Sequence, residues 1–181
     1  MDRYDLNYHF DENLHEVADN PSDMDLYVHE RKSALNTVQN PLERVRILGE
    51  IGTYLRILRH LDEARDYLLK AIDVIERHSL DVRLKVSAQI RLAHVYQWQC
   101  RFEQSNPLFE ELLDLARTSD MEHLNDFIWQ HAGKNYFDQM KFSKARECFE
   151  KALILREARN APKDQIESAK SSLQATLQRM N

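Results

Sequence analysis

Apolar positions recur at steps of three and four along most of the chain, the spacing of one face of an α-helix. They predict a lone helix over about 22–37. Helix pairs follow over 41–58 with 61–78, 82–99 with 103–118, and 120–138 with 142–158. A last helix over about 162–179 begins after Ala161-Pro162 and carries the stripe Ile166, Ala169, Leu173, Leu177 and Met180. The starts are marked by cap residues. Asn40-Pro41-Leu42-Glu43 joins an N-cap residue, Pro at the first helical position and Glu at the third. Ser119-Asp120-Met121-Glu122 is a second capping box, and Ser22 with Asp25 a weaker third. Pro107 is expected to cost at most one first-turn hydrogen bond, or to delay its helix until Asn106. Residues 1–20 lack this period. They are expected to form a poorly ordered or loosely docked leader with a helical turn near 11–17.

The pattern also repeats on a longer scale. Trp129, Ala132-Gly133, Tyr136, Ala145, Phe149 and Ala152 form one unit. Leu92-Ala93, Tyr96 and Phe109 lie 40 positions earlier, and Ile51-Gly52, Leu55, Ala64, Leu68 and Ala71 about 41 before those. Gly52, Ala93 and Gly133 are the small anchors that let a neighbouring helix backbone come close. A large residue three positions on fills the adjoining gap, because residues three or four apart share a helix face. Leu68, Phe109 and Phe149 are the matching knobs. The middle unit is degenerate, with Gln89, Ser105 and Leu112 at positions where the others favour a large apolar residue and two alanines.

Composition narrows the class. Three glycines and four prolines give too little punctuation for an all-β fold. No apolar run reaches the ~20 residues of a membrane span, and MDRYDLNYHF lacks a secretory core, so a cytoplasmic protein is expected. The net charge of −5 is unevenly spread: the first 25 residues hold eight acids and one base, and the rest is weakly positive. That pattern does not suggest a dedicated nucleic-acid binder, which would show a strong basic excess. Cys100 and Cys148 are expected to be two reduced, buried side chains. The eight histidines have no ligand spacing, with His123 and His131 two turns apart, so no metal site is expected. Neither a nucleophile elbow nor a phosphate loop is present, which argues against an enzyme and against a cofactor.

At Trp129-x-x-Ala132-Gly133-x-x-Tyr136 with Ala145-x-x-x-Phe149-x-x-Ala152 the chain resembles a tetratricopeptide repeat (TPR). Its period of 40 to 41 exceeds the common ~34 residues. It resembles the longer variant of kinesin light chains and bacterial peptide-sensing regulators, as does the stretch Phe149–Glu157. The paired asparagines usual in that variant are absent. The resemblance implies an all-α fold: a right-handed superhelical array of antiparallel helix pairs, a TPR-like α-solenoid. It would hold three repeats (about 41–79, 81–118 and 120–158), an N-terminal helix and a C-terminal capping helix at 162–179. The expected organisation is an acidic leader, 1–20, and a single domain, 21–181.

The resemblance further implies a concave groove lined by the first helix of each pair. With the anchors facing the neighbouring helix, inward positions fall six and two residues before each anchor and one and four after. The first repeat gives Arg46, Glu50, Thr53 and Arg56. The second gives Ser87, Arg91, His94 and Gln97, with Trp98 at the edge as a candidate exposed anchor. The third gives Phe127, His131, Lys134 and Phe137. The set is basic and aromatic, suited to a protein or peptide ligand offering acidic and apolar groups. The Lys/Asn carboxylate clamp of some TPR proteins is not expected, since the corresponding positions hold Gly49, Thr53 and Arg91. An adaptor or regulator is the leading expectation, as a monomer or weak dimer without nucleic-acid or membrane partners. A chaperone or immunity-type protein sequestering a bacterial effector or toxin, and a homo-oligomerising structural subunit, remain alternatives. The acidic leader is a candidate occupant of the basic groove.

Overall fold

The computed structural model describes residues 3–118, 121 and 124–180. Among them run β1 (Tyr8–Phe10), β2 (Glu16–Ala18) and eight helices: α1 (Pro21–Ala34), α2 (Pro41–Ile57), α3 (Leu61–Arg77), α4 (Val82–Trp98), α5 (Phe102–Thr118), α6 (Leu124–Asp138), α7 (Phe142–Ala158) and α8 (Lys163–Met180). Each predicted helix is present with ends shifted by a few residues. The fold is all-α, of the TPR-like class of antiparallel helix pairs, with strands confined to the leader. The expected helical turn at 11–17 is instead a hairpin. Its strands pair antiparallel in the register Tyr8 to Ala18, His9 to Val17 and Phe10 to Glu16.

Side-chain caps mark the starts of α1, α2 and α4, while α3 and α7 begin without one. The Asn40 side chain accepts the Leu42 and Glu43 N–H groups at 2.9 and 3.1 Å, with Pro41 opening α2. The cap of α1 is Asn20 rather than Ser22, accepting from Asp23 N–H at 3.1 Å. Asp81 caps α4 through Arg83 N–H at 2.8 Å. The box at Ser119, Asp120 and Glu122 lies outside the described residues, as does His123. Pro107 sits in the second turn of α5, not at its start, and removes the N–H that would reach the Glu103 carbonyl.

The helix ends follow one device. Arg59, Ser79, Cys100, Met140 and Asn160 adopt φ between 48° and 67°, just past α2, α3, α4, α6 and α7. In each case the next residue donates back into the helix: His60 to Leu55, Leu80 to Ile75, Arg101 to Tyr96, Lys141 to Tyr136 and Ala161 to Arg156, at 2.8–3.0 Å. These are Schellman-type stops made without glycine.

The chain divides into two compact units, Met1–Asp11 with His15–Arg101 and Glu12–Leu14 with Phe102–Asn181. Thus α4 closes the first unit and α5 opens the second. In the first unit, Gly52, Ala64, Leu68 and Ala71 are buried where α2 meets α3, and a Cβ on Gly52 would fall 2.6 Å from Leu68 Cγ. Val45, Ile75 and Ala88 form a neighbouring cluster, overlaid by Ile72, Val74, Leu80 and Leu84. In the second unit, Gly133, Ala145, Phe149 and Ala152 repeat the arrangement between α6 and α7. On α8 the buried face is Ala169, Ser172 and Thr176, while Leu177 and Met180 are exposed. Of the expected apolar stripe, Ala169 is buried and Ile166 and Leu173 are half-buried, so only its C-terminal end lies open, and Ser172 and Thr176 complete the buried face.

Candidate functional site

Turns of α2 and α4 face each other across a cleft of about 350 Å³ in the first unit, lined by Leu42, Val45, Arg46, Gly49, Glu50, Thr53, Tyr54, Ala71, Leu84, Ser87, Ala88 and Arg91. Five of the predicted groove residues meet there: Arg46, Glu50, Thr53, Ser87 and Arg91. Their spacing explains the meeting, because residues 46, 50 and 53 on α2, and 87 and 91 on α4, each lie on one helix face. Glu50 is the cleft's acid. It accepts from Arg46 on the same helix and from the Tyr27 hydroxyl of α1 at 3.0 Å. Burial, followed by the Glu50 hydrogen bond, raises the Tyr27 pKa. Tyr27 meets Tyr54 edge-on at 5.3 Å, which fixes the wall on that side.

Arg91 is the cleft's free cation. Its Nη1 donates to Ser87 Oγ at 2.8 Å, and it has no carboxylate partner among the described residues. The guanidinium is reached by solvent, yet protein crowds it on most sides. That crowding, with the Arg56 charge adding to it and Glu50 opposing, draws its pKa below the ordinary arginine value. A Cβ at Gly49 would stand 3.5 Å from Arg91 Nη1, an ordinary contact, so the placement of Arg91 does not depend on the glycine.

The remaining predicted residues of α2 and α4 lie elsewhere. Arg56, His94 and Gln97 are buried, and Trp98 is 7% exposed, so it is not the open anchor expected. The leader hairpin covers this end. Glu16 on β2 accepts from Arg56 Nη1 at 2.8 Å, with both side chains 6% exposed. His15 stacks on Trp98 at 4.6 Å between centroids, and His94 meets the same ring edge-on at 5.5 Å. The guanidinium carbons of Arg56 and Arg59 stand 4.3 and 4.1 Å from the indole centroid. Residues 3–5 anchor the leader further back: Tyr4 hydroxyl donates to Glu30 at 2.7 Å, and Asp5 N–H to Asp23 at 3.0 Å.

In the second unit, Phe127 and His131 are half-buried and stack on one another at 6.5 Å, with the Arg156 guanidinium 5.5 Å from the Phe127 ring. Lys134 and Phe137 are buried, so neither presents an open face. Burial follows from the same helix having neighbours on more than one side, which a periodicity argument cannot count. Sequence reasoning also missed two polar networks here. Ser105, a departure from the repeat pattern, donates to Asn135 Oδ1 at 2.7 Å while wholly buried. Asp126, 1% exposed, accepts from Arg156 Nε at 2.9 Å and twice from Arg159 at 3.1 Å. Arg156 continues to Gln130 Oε1 and the Gln165 carbonyl, and Gln130 to Ser172. Trp129 is buried as expected of the repeat's core tryptophan, and Cys148 is buried. Cys100, expected to be buried, is exposed at the end of α4.

Helix pairs with a small anchor, a large knob and stops of this form make a TPR-like helical-repeat fold. Residues 44–79 match the tetratricopeptide repeat family. Regulatory protein RapK of Bacillus subtilis (strain 168) is 24% identical over 156 residues. The match takes in 84% of this chain but only 41% of that relative's length. Among solved structures, BtubC (BKLC) from P. vanneervenii superposes with a TM-score of 0.66 at 17% identity, covering 88% of this chain and 67% of that one. A kinesin light chain protein of Podosopora anserina with nearly identical TPR-like repeats gives 0.61 at 13%, covering 87% and 79%. At these identities the two structures share the fold. No helix among the described residues is long and apolar enough to cross a membrane.

Proposed function

We propose that the chain is a protein-interaction module of regulatory type that takes a peptide or a segment of a partner protein in the cleft between α2 and α4. The observation that carries this reading is Arg91: a solvent-reached cation beside an apolar wall, with a serine as its hydrogen-bond partner and no carboxylate. An incoming carboxylate would pair with its fork geometry. Leu42, Val45 and Leu84 would take an apolar side chain next to it. The repeat class and the likeness to a regulatory protein support an interaction role. Helical repeats of this kind generally act as scaffolds rather than enzymes.

The test is capture of partners on the immobilised chain, followed by titration of each purified candidate against wild type and Arg91→Glu. The reading expects at least tenfold weaker binding for the variant, with the same helical content. Partners that bind Arg91→Glu and Arg46→Glu as well as wild type would remove the cleft from the account.

A further inference from the structure

The leader hairpin sits on the protein as a ligand would. Its two strands are three residues each, too short to be stable alone in water. All of β1 is exposed, and the buried apolar contact of the hairpin is concentrated in Leu14 at its turn. Beside Leu14 its seat is polar and specific: a carboxylate on Arg56, a planar ring on Trp98, and a further arginine, Arg59, over the same indole and 3.4 Å from His15 Nδ1. A buried ion pair of this kind is specific but adds little net stability, because desolvating both charges offsets their attraction. Another carboxylate presented to Arg56 recovers the same terms. The hairpin also leaves Trp98 Nε1, a buried donor, without a hydrogen-bond acceptor among the described residues. An occupant with a carbonyl at that point gains a bond the leader does not make. The anchors at Tyr4 and Asp5 keep the leader attached when its tip lifts away, so it competes at high effective concentration.

We propose that Arg56, Arg59, His94 and Trp98 form a second recognition surface, and that residues 15–16 of the leader occupy it in place of an acidic segment of a partner protein. The segment that fits has a glutamate or aspartate preceded by an aromatic or imidazole side chain. The leader is thus an internal competitor, and partner binding requires its release. This rests on the partner-binding reading given above, and deepens it by naming what the partner must carry.

The probe is a synthetic peptide of residues 8–19 of this chain, titrated against the full-length protein. Binding is read from the Trp98 indole N–H resonance, identified by its loss in Trp98→Phe. The full-length Glu16→Ala chain, its own competitor disarmed, should bind the peptide at least tenfold more tightly than wild type. A peptide carrying the same Glu16→Ala change should not bind. Amide exchange over 8–18 should rise at least tenfold in Glu16→Ala. It should return toward wild type in the charge-swapped Glu16→Arg, Arg56→Glu chain, which shows that the fold survives. Equal peptide affinity for wild type and Glu16→Ala, or unchanged exchange over 8–18, overturns the proposal. The two readings separate cleanly. Partner binding insensitive to Arg91→Glu removes the cleft and leaves the leader exchange standing. A leader that does not exchange removes this surface and leaves the cleft.

Discussion

The ring of Phe149 fills the space a side chain on Gly133 would need. A Cβ built there would stand 2.6 Å from Cε1 and 2.7 Å from Cδ1, inside any real contact. Both residues are buried, so the ring has nowhere to retreat. On helix propensity alone, Gly133→Ala would stabilise α6 by roughly 0.5–1 kcal/mol. Overpacking outweighs this at about 1–3 kcal/mol. We expect Gly133→Ala to lower the urea midpoint. At Gly49, where the added methyl would meet only the flexible end of Arg91 at 3.5 Å, the same change should raise it. Equal shifts at the two glycines would show that the close approach of α6 and α7 does not set the repeat.

Asp126 should be the most costly surface-to-core polar residue to remove. Its carboxylate is 1% exposed and receives two arginines, Arg156 and Arg159, which reach on to Gln130 and Gln165. Truncation leaves Arg156, itself 3% exposed, buried without its counter-charge. Breaking such a pair from one side costs about 3–5 kcal/mol. Asp126→Ala is expected to unfold the second unit at clearly lower urea, with earlier exchange of amides in α8. An effect below about 1 kcal/mol, the range of an exposed pair, would mean the network carries no stability.

What could be read from the sequence, and what could not, follows from the range of each interaction. Helix faces, the anchors Gly52 and Gly133, the knobs Leu68 and Phe149, and the Asn40-Pro41 start are local signals set within one or two turns. The stops were not legible, because Arg59, Ser79, Cys100, Met140 and Asn160 adopt the left-handed conformation without being glycine. The hairpin was not legible either. Its strands are too short for an alternating pattern, and what seats them is Glu16 on Arg56, 40 positions away. For the same reason, helical spacing put Arg56 and Trp98 on the expected face but could not show that the leader covers that part of it. Helical spacing places Lys134 and Gln97 on an open face because it counts one helix at a time, whereas neighbouring helices bury both. Ser105 looked like decay of the repeat, and only its hydroxyl on Asn135 gives it a purpose.

The stop at Met140 offers a test of that device. Its φ of 57° costs an L side chain about 1 kcal/mol or somewhat more, and the side chain is 77% exposed, so little packing is lost with it. Glycine adopts this conformation freely but has more entropy to lose from the unfolded chain. The balance favours Met140→Gly by about 0.5–1 kcal/mol, seen as a higher urea midpoint. A lower midpoint would indicate that Met140 contributes contacts the exposed position does not suggest.

The two thiols should respond differently to pH and to reagents. Burial, with the Glu147 charge adding to it, pushes the Cys148 thiol from 9.0 up to about 12, while Cys100 is exposed. The thiolate is the reactive form, so at pH 8 a disulfide reagent should modify Cys100 in the native protein and leave Cys148 untouched until denaturant is added. The linkage sign follows from the raised value. Below about pH 9 the thiol is neutral in both folded and unfolded chains, and its burial carries no penalty. As pH rises from 9 toward 12 the unfolded chain ionises first, so this contribution to stability is lost over that window. Cys148→Ala, which removes the titrating group, should therefore show a flatter loss of stability between pH 9 and 11 than wild type. Two cysteines labelled at the same rate in the native protein would place Cys148 at the surface and end the argument.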